Sequence, residues 1–399
     1  MRTPVILVAG QGNTDAAADE LLRRPGTAIV RHHFDGHVVQ RSITRLRGAA
    51  PLTATSVLEL AHGCVSCTIR NDLLVVLRKL HRQPGVDRIV VQLAPWLEPE
   101  PICFAINRVR VWIGPGHPEA PAARDVAITA VVTCVATRQW LDQALGDDEL
   151  PDGRTVAQVV VGQAEFADVV LLDEPAPAEM VAVLRRLTPR APLVVGTDHL
   201  EAAVAGLPRG ARRGHSTGAH APLLDGAPPL GADGRVQIVE FGSRRPFHPQ
   251  RLHDAVDVLL DGVIRAKGRL WLSSQPDRAM WLESAGGGLR VADAGKWLAA
   301  MDTSEGAYVD NERRAVANLL WEDGIGDRHT SMTVLVCGAE PAAVLAALCD
   351  ALLTADELAS PDEWPGHHDP FGHWHVDPCD QDQPVDATGP ANRTEGDAR

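Results

Sequence analysis

No apolar run in the chain approaches the roughly twenty residues that span a bilayer, so nothing in it reads as a membrane anchor. Residues 1–4 pass straight into the apolar Val5-Ile6-Leu7-Val8-Ala9 with no small-residue cleavage site behind it. That run reads as a buried strand rather than a secretion signal, and a cytoplasmic location is the expectation. Cysteine is scarce, with seven in 399 residues. Cys103, Cys134, Cys337, Cys349 and Cys379 stand singly and only Cys64 and Cys67 are close, so reduced thiols are expected rather than a disulfide framework. Positive charge is also in deficit, 38 Lys and Arg against 52 Asp and Glu, for a net charge of −14. Such a chain does not wrap nucleic acid through its overall field; contact with RNA would need a local basic patch or an intermediary protein.

What is present suffices for two cores and a tail: 45% of the residues are hydrophobic, and the length exceeds one ordinary domain. The first half alternates short apolar runs with helical patterns, as βαβ units do. Strands are expected over residues 5–9, 27–31, 88–93, 128–134, 169–172 and 192–196, with helices over 15–23 and 68–81. The second helix sets Ile69, Leu73, Val76, Leu77 and Leu80 on one face. A doubly wound parallel sheet follows, and such sheets bind ligands outside the carboxyl ends of their strands. Residues 206–234 are rich in Gly, Pro, Arg and His without periodicity and read as a linker. Beyond it, strands over 236–241, 263–273, 280–283, 288–291 and 332–336 mix with helices over 249–260 and 342–353, the texture of a small α+β domain. From about Ser360 the chain is rich in Asp, Pro, His and Gly, and disorder is expected over its last twenty residues.

Several motifs carry a resemblance. Gly63-Cys64-Val65-Ser66-Cys67 leads into Thr68-Ile69-Arg70-Asn71-Asp72-Leu73. Arg244-Arg245-Pro246-Phe247-His248-Pro249 stands with Arg265-Ala266-Lys267-Gly268 and Leu270-Trp271-Leu272 in the second half. Gly326-Asp327-Arg328 and Asp369-Pro370-Phe371-Gly372-His373-Trp374 extend the likeness nearly to the end. The chain resembles the CobW-like zinc-associated GTPases. That resemblance implies an α/β fold: a P-loop NTPase-like, doubly wound, mostly parallel sheet, followed by a small α+β CobW C-terminal domain. The expected boundaries are 1–205 for the G domain, 206–234 for the linker, 235–356 for the second domain and 357–399 for the tail.

The nucleotide elements of that family are altered here. A P-loop aims backbone N–H groups and one lysine ammonium at phosphate oxygens. The equivalent stretch is Gly10-Gln11-Gly12-Asn13-Thr14-Asp15, of which Gly10, Gly12 and Thr14 are the nucleotide-facing candidates. It is shorter, lacks the lysine, and puts Asp15 where negative charge would repel phosphate; the first lysine of the chain is Lys79. Where relatives carry Glu-Thr-Ser/Thr-Gly, the chain has Gln92-Leu93-Ala94-Pro95, although Glu98-Pro99 is kept. Proline has no N–H to offer a γ-phosphate. In place of the guanine-reading Asn-Lys-x-Asp stands Asp173-Glu174-Pro175-Ala176. GTP binding and hydrolysis are therefore not expected, and no residue is assigned a catalytic role.

The chemistry left is that of metal ligands. The spacing of Cys64 and Cys67 lets both sulfurs face one ion, and a helix start beside them favours thiolate. Ser66 stands where the family has a third cysteine, so zinc would need two more ligands, for which His62, His33 or a partner are the candidates. A pair of reduced thiols packing a loop is the alternative. Residues 32–37, with three histidines, fall at the sheet's carboxyl edge and read as a ligand group, a partner surface or exposed loop histidines. The tail holds His367, His368, His373, His375 and Cys379, which could hold metal loosely or simply dock back through Phe371 and Trp374. The resemblance runs closest to the actinobacterial, zinc-starvation-linked branch of the family. It implies a zinc-responsive regulatory protein that brings a ribosome hibernation factor to the small ribosomal subunit, mainly through protein contacts. The alternatives are a zinc metallochaperone that hydrolyses GTP and an interaction module without metal.

Overall fold

A computed structural model describes residues 1–48, 50–60, 64–224 and 226–372. The chain opens with strand β1 (Thr3–Gly10), helix α1 (Thr14–Leu22) and strand β2 (Thr27–Phe34). A hairpin follows, β3 (Val39–Arg47) and β4 (Ala50–Leu58), then α2 (Val65–Leu80) and β5 (Arg88–Gln92). Next come α3 (Pro99–Arg108), the short strands β6 (Arg110–Val111) and β7 (Ala120–Pro121), and β8 (Val126–Val135). The first half closes with α4 (Trp140–Leu145), α5 (Val156–Glu165), β9 (Val169–Leu172), α6 (Ala178–Leu187), β10 (Leu193–Val195) and α7 (Leu200–Ala205).

Eight of these strands form one sheet, in the order β10-β9-β8-β1-β5-β2-β3-β4. It is parallel from β10 to β2 and antiparallel for β3 and β4. β1 is central and covered on both faces, which is why its residues 5–9 are uniformly apolar. The expected strands are all present within a few residues. The antiparallel hairpin was not anticipated from sequence: β4 is exposed along nearly its whole length, so no buried face imposes an apolar alternation on it.

The second half is an antiparallel sheet of β11 (Val236–Ser243), β12 (Val263–Trp271), β13 (Arg278–Ala285), β14 (Gly288–Lys296) and β15 (Thr330–Cys337), ordered β11-β15-β12-β13-β14. Helices α8 (Pro249–Asp254), α9 (Thr303–Gly306), α10 (Asn311–Leu319), α11 (Pro341–Asp350) and α12 (Ala355–Leu358) complete it. One face of this sheet packs with Leu252 of α8 and with Val344 and Leu348 of α11. The other shares a core with the first domain, where Val236, Ile238 and Leu335 meet Val160, Val183 and Leu187. Turn residue Gly286 makes that approach possible. A Cβ there would fall 2.4 Å from the carbonyl oxygen of Gly146.

A charged bond reinforces this junction. Glu165 accepts hydrogen bonds from Arg265 Nε (2.9 Å) and Lys267 Nζ (2.6 Å), and Arg265 also reaches Glu283 (2.8 Å). Burial alone would raise the Glu165 pKa, but the two cations hold it at about 2. The expected linker is not a loose tether. Among its described residues there is neither helix nor strand, yet the N–H of Arg213 donates to Asp168 (2.9 Å), Leu223 is buried, and His220 bonds to the carbonyl of Ala294 (2.9 Å). It straps both domains. No helix among the described residues is long and apolar enough to cross a membrane.

Candidate functional site

The carboxyl edge of the parallel strands presents two helix starts, that of α1 after β1 and that of α2. At the first, the chain turns sharply on two glycines. Gly10 adopts a φ of +114°, and a Cβ on it would lie 2.0 Å from the carbonyl oxygen of Cys134. Gly12 donates its N–H to that same oxygen at 2.9 Å. Both glycines are thus required by the close approach to β8.

The groups facing the start of α1 are bonded to one another. Asn13 caps the helix by accepting from the N–H of Ala16 (2.9 Å). The Gln92 amide donates to the Thr14 hydroxyl and to the Asp15 carboxylate, each at 2.9 Å, while its oxygen accepts from Arg31. Arg31 also lies 3.4 Å from Asp19. Gln11 reaches over the turn to the carbonyl of Pro95 and to the Gln163 side chain (3.2 Å). Gln163 donates in turn to the carbonyls of Pro95 (2.7 Å) and Leu97 (2.9 Å). A helix N-terminus attracts an anion, and the chain supplies its own in Asp15. Gln11, Arg31 and Gln163 were not singled out from sequence; their partners lie far off in the chain.

The other altered elements are likewise tied inward. Arg154 donates to Glu98 (2.6 Å) and to the carbonyl of Trp96 (3.0 Å), fixing the loop after β5. Burial raises the pKa of Glu98 against the opposing charge of Arg154. Where guanine would be read, Asp173 accepts from the N–H of Thr137 (3.0 Å) and Glu174 pairs with the exposed Arg138 (2.6 Å).

The second helix start carries the thiols. Cys64 is the N-cap of α2: its sulfur accepts from the N–H of Cys67 at 3.2 Å and lies 3.3 Å from the Ser66 hydroxyl. That capping role starts the helix three residues before the expected Thr68. Both cysteines are half-buried, and none of the six described cysteines is in a disulfide. One turn on, Asp72 accepts from Arg41 (2.6 Å) and meets Nε2 of the buried His32 at 2.7 Å.

The sequence pattern places the end of this strand at Arg31, but β2 continues through Phe34 and its side chains alternate. His32 therefore faces α2, whereas Arg31 and His33 face the α1 side. His33, a candidate ligand, is exposed and by alternation lies on the opposite face of β2 from His32. His62 lies outside the described residues, as do His373, His375, Cys379 and the expected disorder of the last twenty residues. Of the tail histidines that are described, His367 stacks on His248 with ring centroids 4.5 Å apart and bonds Ser273 (2.8 Å), and His368 meets Gln250 (3.0 Å). These contacts dock the segment on the second domain. Among the described residues no group of three or more His, Cys, Asp or Glu side chains is placed to hold a metal ion.

A parallel sheet with a glycine turn and helix at its carboxyl edge, followed by an antiparallel α+β domain, defines a P-loop-type nucleotide-binding fold with an appended C-terminal domain. Residues 28–193 match the CobW/HypB/UreG nucleotide-binding domain, and residues 236–352 match the cobalamin synthesis protein cobW C-terminal domain. The chain belongs to the CobW family. It is 61% identical to Zinc chaperone Rv0106 of Mycobacterium tuberculosis over 399 residues, all of both chains. It is 26% identical to Zinc-regulated GTPase metalloprotein activator 1 of Dictyostelium discoideum, over 73% of this chain and 65% of that one. The solved Zn(II)-bound YjiA GTPase from E. coli aligns with 88% of this chain and 99% of its own, at 15% identity and a TM-score of 0.38.

Proposed function

We propose that this chain is a zinc-handling protein that carries the ion on Cys64 and Cys67 and passes it to a client without hydrolysing GTP. The observation that carries the reading is the pair of half-buried thiols at the start of α2. Helix N–H groups beside a thiol favour the thiolate that binds metal. Two thiolates fill half of a tetrahedral shell. His62, or the ligands of a client, would complete it, and an incomplete shell suits an ion that has to leave again. The name of the 61% identical relative, a zinc chaperone, supports the same role.

The absence of turnover is inferred from the start of α1. Asn13 caps the helix, Asp15 in its first turn is bonded to the Gln92 amide, Gln11 spans the turn, and Pro95 offers no N–H. Recruitment of a ribosome hibernation factor rests on the resemblance alone; the names of the relatives favour zinc handling over it. The test is a zinc titration of the reduced full chain against a chromogenic chelator, beside a Cys64→Ala/Cys67→Ala pair. Wild type should hold a tight ion and the pair should not. Tight binding retained by the pair would overturn the assignment.

A further inference from the structure

We propose that the outer edge of β4 docks an extended, acidic segment of another protein, which adds to the sheet as a further strand. β4 is nine residues long and is the outermost strand of the large sheet among the described residues. Strand edges of this length present a row of backbone donors and acceptors. Proteins that avoid pairing blunt them with charge, proline or a bulge. β4 (Ala-Pro-Leu-Thr-Ala-Thr-Ser-Val-Leu) has no charged residue, has proline only at its second position, and keeps an unshifted register with β3 from Val39↔Leu58 to Arg47↔Ala50. Leu52 and Val57 are 59% and 65% exposed, one on each face. This edge is built to pair.

The charge around it specifies the partner. Between Asp35 and Glu59 the chain has no acidic residue and three arginines, Arg41, Arg45 and Arg47, in a protein of net charge −14. All three lie on the α2 side of β3, as the bonds of Arg41 to Asp72 and of Arg45 to Gln83 indicate. Arg47 stands opposite Ala50 and Arg45 opposite Leu52. Strands are spaced about 5 Å apart, so Arg47 reaches over the small Ala50 on β4 to the next strand, while Arg45, opposite Leu52 and bonded to Gln83, extends the positive row behind it. Acidic side chains on that strand would meet Arg47 and feel the positive row that Arg45 continues. A second copy of this chain would instead bring two acidic molecules and two arginine rows together, which disfavours self-pairing. Recognition would combine backbone bonds for affinity with alternate side chains for specificity.

The probe is a fluorescein-labelled ten-residue peptide alternating valine or threonine with glutamate, compared with its lysine counterpart. Fluorescence anisotropy and hydrogen exchange of the full-length protein are read together. The glutamate peptide should bind, more weakly as salt rises, and should slow amide exchange within residues 50–58. Arg45→Glu/Arg47→Glu should weaken it about tenfold or more and favour the lysine peptide, with exchange in the central strands unchanged. Failure of the glutamate peptide to bind, equal binding of both peptides, or protection mapped away from β4 would overturn the proposal. So would protection of residues 50–58 that rises with protein concentration alone, since that would mean pairing between copies.

Discussion

The starts of α1 and α2 share one edge of one sheet and the same backbone electrostatics, yet they have been put to opposite uses. At α1, Asn13 caps the helix, the Gln92 amide bonds Thr14 and Asp15 of its first turn, and Gln11 crosses the turn. At α2, the cap is a thiol, with a second thiol one turn along and neither fully buried. The fold offers a place for an anion at each, but the side chains decide whether that place is filled from within.

The sharpest way to break this comparison is at α2. Cys67→Ser should cost about 3 kcal/mol of zinc affinity, roughly a hundredfold, as read by chelator competition. An unchanged affinity would mean that the thiols are structural. The next effect is at α1. Gln11→Ala/Asp15→Ala should lower stability by about 1–2 kcal/mol in denaturant melts, through the lost bonds and the lost helix-end charge. It should still leave the chain without GTP affinity, because the lysine stays absent. A gain of GTP binding would show that the bonded turn was the only obstacle.

A smaller effect concerns Glu98, beneath the same loop. Its folded pKa is raised by burial, so the folded state binds its proton more readily than the unfolded chain does. Stability therefore falls as pH rises through the raised value. Glu98→Gln, which mimics the protonated acid, should stabilise the protein at neutral pH and lose that advantage as pH drops into the ordinary carboxylate range. Melts across pH 4 to 8 would check the sign. Smallest of all, removing residues 373–399 should leave tight zinc binding unchanged, since Cys64 and Cys67 remain; loss of the tight ion would relocate the site to the tail.

Much of the frame was legible in the residues. The central strand β1 is apolar without interruption over residues 5–9 because both faces are covered, and the single-face stripe of α2 is plain. The hairpin of β3 and β4 was not legible, because a strand wet on both sides has no reason to alternate. α5 was equally silent for the opposite cause: Val-Ala-Gln-Val-Val-Val-Gly-Gln-Ala-Glu is buried on so many sides that no helical period survives. Of the site, the thiol pair and the altered turn could be read, since each is local. The bridge from Gln11 to Gln163 spans 152 positions and leaves no spacing to notice. For His33 the strand end decided its placement: β2 runs to Phe34, and alternation puts His33 on the face away from α2.

On the proposed function, one helix start is open to metal while the other is closed to nucleotide. A calorimetric titration of GTP with Mg²⁺ into the zinc-loaded chain, with phosphate release followed on the same sample, tests it most directly. The expected result is no heat beyond dilution, no phosphate above background and zinc retained throughout. Micromolar GTP affinity with measurable turnover would contradict it.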